Sequence, residues 1–108
     1  MITGAVKWLT ERAHAIITTG GTGITPTDTT IEALERIADK RLPGFGELFR
    51  RHSEKEIGAH AALTRAEMYV VNQTPVACLP GSPHAAELGA ELLLELLPHA
   101  VAHAQGKA

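Results

Sequence analysis

The sharpest chemical feature of this sequence is a carboxylate, Asp28, five residues beyond the run Gly20-Gly21-Thr22-Gly23. That run closes a short β-branched apolar segment, Ile16-Ile17-Thr18-Thr19, which has the composition of a buried strand. Strand, glycine turn and helix is a layout that binds anions. Glycine lacks a Cβ, so the backbone approaches a ligand closely. The N–H groups of such a turn, with the helix start that follows, favour negative charge. The hydroxyls of Thr19, Thr22 and Thr25 add donors. A carboxylate beside bound phosphate suits Mg²⁺, which bridges phosphate oxygens. Asp28 could equally be a helix N-cap, although Thr29 or Thr30 can do that job. Spacing alone leaves both readings open.

Other residues join this list. Arg65 could grip a phosphate bidentately, although an isolated arginine is most often a surface charge. Arg50 has the same standing, or braces residues 43–46. Pro80-Gly81-Ser82-Pro83 offers backbone amides and a hydroxyl at a helix start, where an ordinary turn is the plainer reading. The glycines form neither a G-x-x-x-x-G-K-[ST] loop nor a G-x-G-x-x-G fingerprint. His99 and His103 have helical metal-ligand spacing but no accompanying third ligand, so an exposed pair is expected. Cys78, the only cysteine, lies in an apolar segment and reads as a small buried hydrophobe.

Positioning these groups requires a compact fold. A hydrophobic fraction of 44% argues for a folded chain, and 108 residues allow a single domain, 1–108. A formal charge of −2 gives no case for nucleic-acid or membrane-surface binding. No apolar run reaches membrane-spanning length and no signal peptide is visible. A lone cysteine is compatible with the reducing cytoplasm, where the protein is expected.

Helical periodicity predicts a first helix to about residue 12, followed by a strand at 15–18. Thr29-Thr30-Ile31-Glu32 has the form of a capping box opening a helix to about residue 39. Lys40 and Arg41 then sit at that helix's C-terminus, and Leu42-Pro43-Gly44 stops it. A second helix covers 45–57, with further helix at 59–66. Strands are expected at 68–71 and 76–79, with Asn72-Gln73 as the turn between them. A long helix begins at 84, and Pro98 is expected to interrupt it. Strands alternating with helices predict an α/β fold, three layers α/β/α around a mostly parallel sheet. Both glycine-proline loops follow strands, so they belong at one C-terminal sheet edge, where such sheets bind ligands.

The string T-T-G-G-T-G-I-T-P-T-D-T-T at 18–30 resembles the signature of the molybdenum cofactor biosynthesis domain, the molybdopterin-binding MoaB/MogA type. L-P-G-F-G at 42–46, Phe49-Arg50, Leu63-Thr64-Arg65-Ala66 and L-P-G-S-P at 79–83 follow in the family's order. Thr64 stands where the family usually has serine, which keeps the hydroxyl. The resemblance implies a molybdopterin-binding-like fold that lacks its N-terminal β-α-β portion and that portion's second functional aspartate. It implies molybdopterin as ligand and, in the MogA-like branch, adenylyl transfer from MgATP. Thr19, Gly20, Gly21, Thr22, Gly23, Thr25, Arg65, Pro80, Gly81 and Ser82 would then bind substrate, with Asp28 catalytic or holding Mg²⁺. The family also implies a homo-oligomer, a trimer or a hexamer built of trimers. The open alternative is a non-catalytic pterin- or anion-binding oligomer. A buried strand at 15–18 needs neighbours on both edges, which also argues against a monomer.

Overall fold

The computed structural model describes residues 2–107. Four strands form one sheet in the order β1-β4-β3-β2. They are β1 (Ile16–Thr19), β2 (Lys40–Leu42), β3 (Glu67–Val71) and β4 (Thr74–Leu79). The α-helices are α1 (Ile2–Thr10), α2 (Thr30–Ile37), α3 (Pro43–Ile57) and α4 (Pro83–Ala104), and a 3₁₀ segment fills Gly58–Leu63.

The α/β class and its three layers stand as expected. Val6, Ile31 and Leu34 of α1 and α2 pack on one sheet face, against Ile16, Tyr69, Val76 and Cys78. Phe45, Phe49, Leu88 and Leu92 of α3 and α4 pack on the other, against Met68, Ala77 and Leu79. Successive strand side chains point to opposite faces, so both cores draw on the same strands. Leu34 and Tyr69 are fully buried, and burying a leucine is worth about 2–3 kcal/mol.

Within this chain the sheet is mixed rather than mostly parallel. Only β1 and β4 pair parallel; β3 pairs antiparallel with both β4 and β2. The reason is local. Val71 faces Thr74 across a two-residue loop in which Asn72 and Gln73 both have positive φ, at 49° and 63°. A turn of that hand suits the twist of a tight hairpin, which forces antiparallel strands.

Several boundaries moved. Lys40 and Arg41 are not the end of a helix: α2 stops at Ile37 and the next residues form the exposed edge strand β2. Three exposed residues, two of them cationic, carry no strand periodicity, and charge is what suits an unpaired edge. Pro43 opens α3 at its first position, where the missing N–H costs nothing. Pro98 does not interrupt α4, which runs unbroken to Ala104. The carbonyl that Pro98 leaves without its helical donor belongs to Leu94, which is 81% exposed and faces solvent. Strand β1 is not buried on both edges: its one neighbour among the described residues is β4, and Ile17 is 49% exposed.

Candidate functional site

Because β1 and β4 run parallel, the loops that follow them leave the sheet at one end. They touch there. The Gly20 amide donates to the Leu79 carbonyl at 2.8 Å, and a Cβ on Gly81 would lie 3.5 Å from the Gly20 Cα. Gly20 and Gly21 have φ of 93° and 74°, a left-handed path that side chains resist. Gly21 must also lack a Cβ because Thr30 Oγ1 occupies that space. Thr30 is the first residue of α2. Its hydroxyl donates to the Gly20 carbonyl at 3.1 Å, and its amide donates to the Gly21 carbonyl at 3.1 Å. Helix α2 therefore grips the glycine turn directly. The amides of Gly21 and Thr22 donate to no acceptor among the described residues. Of the two, Gly21 is partly exposed and its amide can meet an anion, whereas Thr22 is buried.

Asp28 sits across the loop from them. Its Oδ2 accepts from the Thr25 amide at 2.9 Å and the Thr25 hydroxyl at 2.7 Å. Asp28 is thus not the side-chain cap of α2, whose cap residue is Thr29 and makes no side-chain bond. The Thr25 hydroxyl, first, and the Thr25 amide, second, hold its carboxyl below the usual carboxylate range. Both stabilise the anion, as does the Gly23 amide, so Asp28 is ionised at neutral pH. A Cβ on Gly23 would come within 2.7 Å of Oδ2, so that glycine makes room for the carboxylate.

Arg65 joins the site through backbone carbonyls and a carboxylate. Its amide donates to the Thr22 carbonyl at 2.8 Å. Its Nε donates to the Gly23 carbonyl at 3.0 Å and its Nη2 to the Asp28 carbonyl at 2.9 Å. Its Nη1 donates to Glu32 Oε2. This ion pair holds the Glu32 carboxyl below its ordinary value and raises the Arg65 guanidinium above its own. The expected capping box is therefore absent. Glu32 turns to a guanidinium, a stronger partner than a neutral amide.

The remaining expected residues are placed as follows. Thr22 is 2% exposed and its hydroxyl meets that of Thr64 at 3.3 Å, away from solvent. Thr19 lies exposed at the end of β1. Ser82 caps α4, its hydroxyl accepting from the Ala85 amide at 3.2 Å, beside Pro80 and Gly81. Arg50 braces residues 64–66, not residues 43–46, by donating to the Thr64 and Ala66 carbonyls at 3.3 Å each. His99 and His103 are exposed with ring centroids 4.2 Å apart. Among the described residues, no cluster of three His, Cys, Asp or Glu side chains is placed to hold a metal. Cys78 is fully buried, and that burial pushes its thiol up to about 11. Glu32, Thr30 and Thr64 are the participants the sequence reading did not assign to the site. Glu32 had a signal, since it stands four residues after Asp28, about one helical turn.

Mg²⁺ fits this donor set as a single-carboxylate site. Mg²⁺ accepts one or two protein carboxylates and takes its other ligands from phosphate and water. Asp28 is ionised and lies at the surface of the loop, whereas Glu32 is committed to Arg65.

Comparison with known proteins agrees with this geometry. The sequence model described as a probable molybdopterin binding domain matches residues 1–99. Molybdenum cofactor biosynthesis protein B of Staphylococcus aureus (strain MRSA252) is 47% identical over 90 residues, covering 82% of this chain and 54% of that protein. The chain thus spans about half the length of the curated relatives it matches. Among solved structures, the molybdopterin biosynthesis enzyme MoaB of Thermus thermophilus is 37% identical with a TM-score of 0.86, covering 99% of this chain and 68% of that one. The molybdopterin biosynthesis Mog protein of Mycobacterium ulcerans is 33% identical with a TM-score of 0.87, covering 95% and 68%. A glycine turn clasped by the helix after it, facing a fixed carboxylate, thus sits in a chain whose sequence and backbone both match these proteins, and the chain belongs to the molybdopterin-binding domain family of molybdenum cofactor biosynthesis proteins.

Proposed function

We propose that this chain binds molybdopterin and, when the rest of the site is supplied, adenylylates it with MgATP. The observation that carries the reading is the partly exposed Gly21 turn, its amide unengaged among the described residues, in one loop with the ionised Asp28. In that reaction a phosphate oxygen of molybdopterin forms a bond to the α-phosphorus of ATP. The bond from that phosphorus to the bridging oxygen breaks, and pyrophosphate leaves. Asp28 would hold Mg²⁺, which when bound would supply charge neutralisation. The Gly21 amide orients phosphate, and the braced loop keeps Asp28 placed, so the chain contributes positioning and electrostatics rather than a covalent nucleophile.

A second reading has its own support. Among the residues lining the cavity beside Asp28, the one other carboxylate, Glu32, is paired with Arg65, which fits a chain that binds the pterin without catalysis. In either reading we propose a cytoplasmic homo-oligomer, a trimer or a hexamer built of two trimers. Its contact would use the apolar groove of about 460 Å³ that Ile17 forms with Leu93, Leu94 and Leu97 of α4. No helix of the described residues is long and apolar enough to cross a membrane.

Calorimetric titration with MgATP and with molybdopterin, on the wild type and on Asp28→Ala, tests the reading. The expected result is loss of the magnesium-dependent part of ATP binding, with unchanged circular dichroism. Equal MgATP affinity in the two proteins would remove Asp28 from the role given to it. Binding without turnover in the wild type would favour the second reading.

A further inference from the structure

We propose that Arg65 and Glu32 are positioning residues: Arg65 is an internal strut of the anion loop, oriented by Glu32, and does not itself touch phosphate. The proposal rests on the reading that residues 20–28 hold an anion, and it gives that site's arginine a different task. The donors of Arg65 carry the argument. A guanidinium has five N–H groups in a rigid planar fork. Here the fork reaches the Gly23 carbonyl, the Asp28 carbonyl and the Glu32 carboxylate, while the same residue's amide holds the Thr22 carbonyl.

Those three carbonyls flank the segment 24–27, which contains no helix or strand. The segment is thus tied at its base by Arg65. It is tied across its tip by Asp28, through the Thr25 amide and hydroxyl. Moving Arg65 onto a ligand would release both ends of the loop that carries Asp28. Glu32 lies in the first turn of α2, so the helix fixes its carboxylate, and the carboxylate fixes the plane of the fork. It also cancels the guanidinium charge, which leaves the partly exposed Gly21 amide as the attraction for an anion.

Two measurements on Glu32→Gln and Arg65→Lys decide this. The first needs no ligand: hydrogen exchange of the Thr25 amide, which reports directly on Asp28. Glu32→Gln is expected to speed it about threefold, as suits a partly exposed ion pair. Arg65→Lys keeps the charge but loses the fork, and is expected to speed it about tenfold. Urea midpoints check that global stability is not the cause. Unchanged Thr25 exchange in both variants overturns the strut. The second measurement is calorimetric titration with ATP, with and without Mg²⁺. Glu32→Gln is expected to weaken MgATP binding about threefold and leave metal-free ATP unchanged. Tighter binding of metal-free ATP by Glu32→Gln would mean that freed Arg65 grips phosphate, and would overturn the proposal. If the wild type binds neither form of ATP, the anion-site reading fails, and Thr25 exchange still decides the strut.

Discussion

Alanine at Gly21 and alanine at Gly20 should behave very differently, and the contrast measures how tightly α2 holds the anion loop. Both glycines have left-handed backbones. A residue with a Cβ in that region costs about 1–2 kcal/mol. At Gly20 nothing lies within 4 Å of the added Cβ, so that strain is the whole expected loss. At Gly21 the added Cβ falls on Thr30 Oγ1 and lies 3.0 Å from Thr30 Cβ, so Thr30 must move. Thr30 then loses its hydroxyl bond to the Gly20 carbonyl and its amide bond to the Gly21 carbonyl, both 3.1 Å in the wild type. Each is worth about 1 kcal/mol net. Gly21→Ala should therefore cost about 3–4 kcal/mol, a large part of the roughly 5–15 kcal/mol that holds a domain folded. The assay is urea unfolding of wild type, Gly20→Ala, Gly21→Ala and Gly21→Ala/Thr30→Ala. The slope should be constant and the midpoint should shift. The double variant should lose less than the sum of its single changes, because the clash and the lost hydroxyl bond share one atom. If Gly21→Ala is no less stable than Gly20→Ala within about 0.5 kcal/mol, the clasp between the turn and α2 is wrong.

Three further expectations follow from particular residues. Asp28 has a depressed folded pKa, so its contribution to stability is present above the ordinary carboxylate value of 3.8 and disappears as pH falls through the folded value. Asp28→Asn should flatten the acid limb of a stability–pH curve, and an unchanged limb would remove the Thr25 bonds as the cause. Cys78, with its thiol at about 11, should resist alkylation at pH 8 in the folded protein and react only as the chain unfolds. Rapid labelling without unfolding would contradict its burial. Leu94, 81% exposed, should tolerate Leu94→Glu with less than about 0.5 kcal/mol of monomer stability lost. Light scattering should then show weaker self-association, and an unaltered oligomer would move the contact away from α4.

The sequence alone was enough for the α/β class and for the place of the glycine loop, because both follow from local rules. Short β-branched runs followed by Gly-Gly-Thr-Gly or Pro-Gly-Ser-Pro mark strand ends, and the parallel pairing of β1 with β4 brings the two loops together. The nearness of Asp28 to the glycine loop was also legible, from its five-residue distance to Gly23, although spacing alone left open whether it capped α2. What the sequence could not decide was how donors and acceptors far apart in the chain pair up. Arg65 lies 42 residues from Gly23 and 33 from Glu32, so no local pattern assigns its guanidinium to carbonyls rather than to solvent or phosphate. Strand β2 was hidden for a similar reason: it is three exposed residues whose only strand-like property is their register with β3. Pro98 within α4 needed the third dimension too, since the lost hydrogen bond costs less where the orphaned Leu94 carbonyl faces water. Residue types set which bonds this chain is able to make; the tertiary structure chose among them, because a hydrogen-bonding group spent on one partner is no longer offered to another.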